Sequence, residues 1–303
     1  QNLTFAGGPS ATAPAAGQWS FGPDETFSQS PINGPSPTNQ TYPLTVTSDS
    51  AANSITWNFG TFADPLDRDA KTDILFTVVA SNRPFGDGLL LTNQAQQSEK
   101  NTIDELITSN TAIDQVTMSE PLLGITKGIV STSSNSPPAF FEQGGNQSFV
   151  SPPLPAGVSF TPPGQPGAAF TGKITSGGLA TTPIDATLSN VVGNDLVKFS
   201  IIVENTGSGP NGAFDVVVKD TLPAGFQIPT GSPGLNLQVT DGTGTALAYT
   251  GTPTDLFGTG IQLVDPGATT GSLSAGNPSS GTSGTNIAVI TYDLQLTPNV
   301  VPL

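Results

Sequence analysis

Gly193-Asn194-Asp195-Leu196-Val197-Lys198-Phe199-Ser200-Ile201-Ile202-Val203-Glu204-Asn205-Thr206-Gly207 opens and closes on turn-forming residues, and polar and apolar side chains roughly alternate between them. A period of two predicts a strand over 196–205 that lays one face on a core and turns the other to water. Thr291-Tyr292-Asp293-Leu294-Gln295-Leu296 carries the same alternation and the same expectation. Working outward, short apolar runs bounded by Gly, Pro, Asn and Ser predict further strands over 44–48, 54–59, 72–80, 88–96, 125–131, 213–221, 235–241 and 285–296. The helical period is nearly absent, so the chain reads as all-β, with a spacing that suits sandwiches. One helical signal stands apart. Thr102-Ile103-Asp104-Glu105, followed by Leu106 and Ile107, has the form of a capping box and predicts one or two helical turns.

Between residues 133 and 187 stand Pro137, Pro138, Pro152, Pro153, Pro155, Pro162, Pro163, Pro166 and Pro183. Proline donates no ladder hydrogen bond, so central strands are not expected there. The segment reads as a surface insertion or linker, and limited proteolysis is expected to cut it before any strand. Phe140, Phe141, Phe149, Phe160 and Phe170 within it need a surface to cover, which makes a partner-binding arm the sharper reading.

Composition removes much chemistry. Among 303 residues there is no His and no Cys, which excludes an imidazole base, a thiolate nucleophile and metal sites built on those ligands. With Lys+Arg 8 against Asp+Glu 23 and a net charge of −15, almost nothing is left to neutralise phosphates, so nucleic acid is not an expected partner. No run approaches the roughly 18–20 apolar residues of a membrane span, so no insertion into a bilayer is expected. The chain opens on Gln1 rather than Met and reads as an exported, extracellular or cell-surface product, or as a segment of a longer one.

Self-comparison pairs 70–79 with 290–297, each with an Asp read at the head of a strand, and pairs 54–60 with 260–264, each followed by Asp-Pro. Two copies of one module are inferred. The stretch 193–207, followed by Phe214-Asp215-Val216-Val217-Val218-Lys219-Asp220-Thr221-Leu222-Pro223-Ala224-Gly225-Phe226, resembles a repeat of bacterial and archaeal surface proteins that is catalogued as a domain of unknown function. Its signature runs N-T-G and then D-x-L-P-x-G. Ile125-Thr126-Lys127 is similar to the first strand of that repeat, and Leu91-Thr92-Asn93-Gln94-Ala95 to the strand that closes it. The resemblance implies tandem Ig-like antiparallel β-sandwiches in a secreted or wall-attached protein. Some 60 residues between Lys127 and Gly193 depart from the family's short hairpin.

Candidate sites are few. Asp64, Asp67, Asp69 and Asp73 would suit calcium, though Arg68 and Lys71 interleave with them and a solvated, self-paired loop is the plainer reading. Lys127, inside an apolar strand, is either a solvent-facing lysine or half of an isopeptide cross-link with a neighbouring Asn or Asp. Asn2, Asn39 and Asn146 head glycosylation sequons at close to chance frequency. Asp220, before the L-P-x-G turn, reads as a turn cap, and no spacing selects a catalytic carboxylate pair. Carbohydrate is a possible partner only through Trp19, since Trp57 alternates with Ile55 and Phe59 as a core residue does.

Aligned on the repeat, 1–120 reads as an incomplete sandwich and 121–303 as a second one carrying the insertion at 133–187. Both modules then end on unpaired edges, which are templates for other chains. The expected function is a non-catalytic structural component of a cell surface or matrix, assembling with copies of itself through shared strands. A sugar-binding adhesin is the alternative.

Overall fold

The computed structural model describes residues 86–100, 103, 105–135, 138–276 and 283–298, together with Ala51, Ala52 and nine short strands among the first 84 residues. Among the described residues the chain is mostly β, the strands pair antiparallel, and helix is almost absent. It divides into two compact units, Gln1–Pro84 and Phe85–Leu303. Residues 85–120, which the sequence reading grouped with the first module, cluster with the second unit instead.

In the first unit, Thr45–Asp49 and Ser54–Asn58 form a hairpin, and Asp49 Oδ1 caps its turn by accepting the N–H groups of Ala51 at 2.8 Å and Ala52 at 3.1 Å. Ile55 and Trp57 are half-buried while Ser54, Thr56 and Asn58 are exposed, as their alternation predicts. Leu3–Phe5 pairs with Val78–Ala80, and Trp19–Ser20 with Lys71–Thr72. The middle of the strand expected over 72–80 lies outside the described residues.

In the second unit the strands are β1 (Leu90–Lys100), β2 (Leu106–Thr117), β3 (Leu123–Thr132), β4 (Ala139–Phe141), β5 (Ser148–Phe149), β6 (Ser159–Phe160), β7 (Phe170–Thr171), β8 (Thr187–Ser189), β9 (Leu196–Asn205), β10 (Val217–Val218), β11 (Phe226–Gln227), β12 (Gln238–Asp241), β13 (Tyr249–Thr250), β14 (Ile261–Leu263) and β15 (Ile287–Leu296). A six-residue helix, α1 (Ser176–Thr181), lies between β7 and β8. The main sheet runs β3-β9-β15-β11, with β12 also paired to β15. A second sheet runs β10-β14-β13.

The period of two in β9 and β15 sorts their side chains to two faces of the main sheet. Val197, Phe199, Ile201, Val203, Ile290, Tyr292 and Leu294 enter a core shared with Val218, Ile261 and Leu263 of the second sheet. The opposite face does not meet water. Ile202, Ile287 and Val289 form a second core there with Val130, Phe160, Phe170, Ile174, Leu179 and Ile184. Eight of the ten residues of β9, and nine of the ten of β15, are buried. The expectation of a solvated face fails because residues 139–189 fold back over it.

That segment is therefore no exposed linker. Phe140, Phe160 and Phe170 are buried, and short strands hold them: β4 pairs with β5 and β8, and β6 with β7. Proline forbids long ladders but not two- or three-residue ones, and Thr175 caps α1 by accepting the Gly178 N–H. Gly128 is the contact point on β3. A Cβ there would lie 2.8 Å from Ala186 N and Asp185 Cα, so only glycine lets the segment that leads into β8 come so close.

The helical turns expected from 102 do not reach Leu106 and Ile107, which belong to a hairpin instead, while residues 101, 102 and 104 lie outside the described residues. β1 pairs with β2 from Leu90↔Thr117 to Lys100↔Leu106, and Leu106 and Ile107 open β2. Long-range pairing of a strand rich in Ile, Thr and Val outweighs a local capping signal. The strand expected over 213–221 contracts to Val217–Val218, since Asp215 sits at φ 52 and breaks the extended run. Asp293 lies inside β15 rather than at its head.

Candidate functional site

Three polar constellations stand out in the second unit. The first surrounds Lys127, which pairs in register with Ile201 and so points to the first core's face of the sheet. Its Nζ donates to both oxygens of Asp220, at 2.8 and 2.7 Å. It also lies 5.2 Å from the centroid of Phe199, whose ring stacks on Tyr292 at 5.4 Å. The Tyr292 hydroxyl donates to Asp220 Oδ2 in a short hydrogen bond. Burial, reinforced by that carboxylate, raises the Tyr292 hydroxyl well above its ordinary value. Asp220 Oδ1 also accepts from the Thr221 N–H at 2.8 Å, so Asp220 caps its turn and holds Lys127 at once. The sequence reading saw only the cap, because Lys127 is 93 positions away.

Sequence reasoning missed the second constellation. Lys198 and Asp293, which the alternation assigns to solvent, face each other across β9 and β15 with side chains 0% and 1% exposed, Nζ lying 2.6 Å from Oδ1. Asp293 Oδ2 accepts from the Gly164 N–H at 2.9 Å and from Asn236 Nδ2 at 3.0 Å. Withdrawing two charges from water costs several kcal/mol per ion unless partners compensate, and the insertion supplies one of them through Gly164. The signal that could have found the pair was the five phenylalanines, which needed a surface to cover.

The third constellation fixes the base of the β1–β2 hairpin. Asp87 Oδ1 accepts from the Glu120 N–H at 2.9 Å and the Ser208 hydroxyl at 2.6 Å, while Oδ2 accepts from the Ser208 N–H at 3.1 Å. The Ser208 hydroxyl first, and the Glu120 amide after it, hold the Asp87 carboxyl below its usual range. Beyond this base apolar side chains of the hairpin are open to solvent: Leu90, Leu106, Ile107, Ile113 and Val116 are all exposed, and among its described side chains Leu91 alone is buried. β1 and β2 pair with each other and with no other strand among the described residues. β3, next along the chain, carries exposed Leu123 and Ile125 beside a groove of about 420 Å³ that Leu179, Ala180, Pro183 and Glu204 help to line.

Asp64, Asp67, Asp69 and Asp73 lie outside the described residues, as do Asn2 and Asn39. Asn146 is exposed between β4 and β5. Among the described residues no cluster of three or more acidic side chains could hold a metal, and no helix is long and apolar enough to cross a membrane. No protein-family model, curated protein or solved structure matches the chain.

Proposed function

We propose that this chain is a non-catalytic structural subunit of a cell surface or extracellular matrix, built on Ig-like sandwiches that complete one another by lending strands between copies. The hairpin of β1 and β2 carries the reading. At about 3.4 Å per residue its 11- and 12-residue strands extend close to 40 Å. An isolated two-stranded hairpin is at best marginally stable in water, and this one exposes apolar side chains on both faces. A further strand or sheet from another copy would supply the missing layer through main-chain hydrogen bonds and alternate side-chain pockets. The outer edge of β3 over 123–127, which no other strand pairs among the described residues, offers a matching template beside its groove.

The resemblance of 193–226 to surface-protein repeats supports the extracellular setting. Sedimentation velocity tests the reading. The chain should form species larger than a monomer, and Ile113→Asp combined with Val116→Asp should return it to a monomer with unchanged circular dichroism. A wild-type chain that stays monomeric up to high concentration would remove the proposal.

A further inference from the structure

We propose that Lys198 and Asp293 condense spontaneously into an intramolecular isopeptide bond that ties β9 to β15 at the centre of the main sheet. The two residues are register partners, their side chains are 0% and 1% exposed, and Nζ lies 2.6 Å from Oδ1. That approach does not have hydrogen-bond angles, since neither atom has a hydrogen-bond partner despite the short distance. Lys127 comes as close to its carboxylate, at 2.7 Å, but differs otherwise. It is a third exposed, and it meets both Asp220 oxygens in ordinary hydrogen-bond geometry.

The chemistry closes within the pair. A proton passes from Nζ to Oδ1, and the freed nitrogen lone pair attacks Cγ, pushing the carbonyl π electrons onto Oδ2. That oxygen already accepts from the Gly164 N–H and the Asn236 amide, two donors placed where the tetrahedral intermediate develops its charge. When the carbonyl re-forms, the Cγ–Oδ1 bond breaks, and Oδ1 takes a second proton from the nitrogen and leaves as water. One amide N–H remains, no oxidant is consumed, and two buried charges disappear together with their desolvation cost. Holding amine and carboxyl in contact supplies the effective concentration that the reaction lacks in solution. Ser200 Oγ and Thr291 Oγ1, paired one step along the same face and without hydrogen-bond partners, are placed to receive the released water.

Intact mass and a tryptic map of the full chain test this. The wild-type chain should be lighter than its sequence by the mass of one water, with no cleavage after Lys198 and with fragment 174–219 joined to 220–303. Lys198→Arg keeps the charge but should restore the full mass, while Lys127→Arg should retain the deficit and the joined fragment. A wild-type chain of full mass that is cleaved normally after Lys198 would overturn the proposal. So would a joined fragment that survives in Lys198→Arg or vanishes in Lys127→Arg.

Discussion

Asp87 and Tyr292 each tie a local group to a distant one, and each gives stability a pH dependence of opposite sign. Asp87 titrates lower in the folded chain than its ordinary 3.8, so its contribution is present above that value and is lost as the pH falls below it through the depressed folded value. Acidification, or Asp87→Ala at neutral pH, should therefore lower the protection of the Glu120 and Ser208 amides against hydrogen exchange, measured relative to the intrinsic rate at each pH. Unchanged protection would mean that the hairpin base is held by other contacts. Tyr292 titrates above its ordinary 10.0, so its contribution is complete below that value and erodes as the pH climbs past it, where the unfolded chain gains an ionised phenol. Tyr292→Phe removes the donor to Asp220 and should cost about 1–2 kcal/mol in a denaturant titration at pH 7. The variant should also lose less stability than wild type between neutral and strongly alkaline pH.

At the scale of elements, the insertion behaves as part of the core. Phe160 and Phe170 meet at 5.6 Å over the second face of the main sheet, and truncating Phe160 to Ala should cost about 3–5 kcal/mol. Limited proteolysis should spare 139–189 in the wild-type chain and cut it early in Phe160→Ala. Equal cutting of both would place the segment off the sheet. Gly128→Ala forces a Cβ against the backbone of Asp185 and Ala186, and an overpacking cost of about 1–3 kcal/mol should lower the denaturant midpoint. In the β1–β2 hairpin the competing forces run the other way. Its ladder is long, yet little of its apolar surface is covered, so its amides should exchange faster than those of β9 or β15.

For the whole molecule, a net charge of −15 opposes association between copies. Raising the salt from about 0.01 M to about 1 M shortens the screening length from ~30 Å to ~3 Å and should increase the share of assembled species in sedimentation. Approaching the isoelectric point near 4.1 should do the same. Assembly that weakens with salt would show that opposite charges, rather than apolar strands, join the copies.

The alternation in 196–205 and 287–296 was enough to reveal an antiparallel β protein, because the period of two is a property of the backbone that any neighbour must respect. Which side of those strands would be dry was not written in it. Lys198, Ser200, Thr291 and Asp293 have the polarity of a wet face, and only the return of 139–189 over the sheet buries them. The helical continuation expected at Leu106 and Ile107 failed for a related reason: local hydrogen bonds compete with a pairing partner that appears only when β1 and β2 meet. Lys127 was legible as an oddity within an apolar strand, but its bond to Asp220 was not. Periodicity reports how a segment presents its faces, whereas partners brought together across a hundred residues are decided by the tertiary packing of the faces themselves.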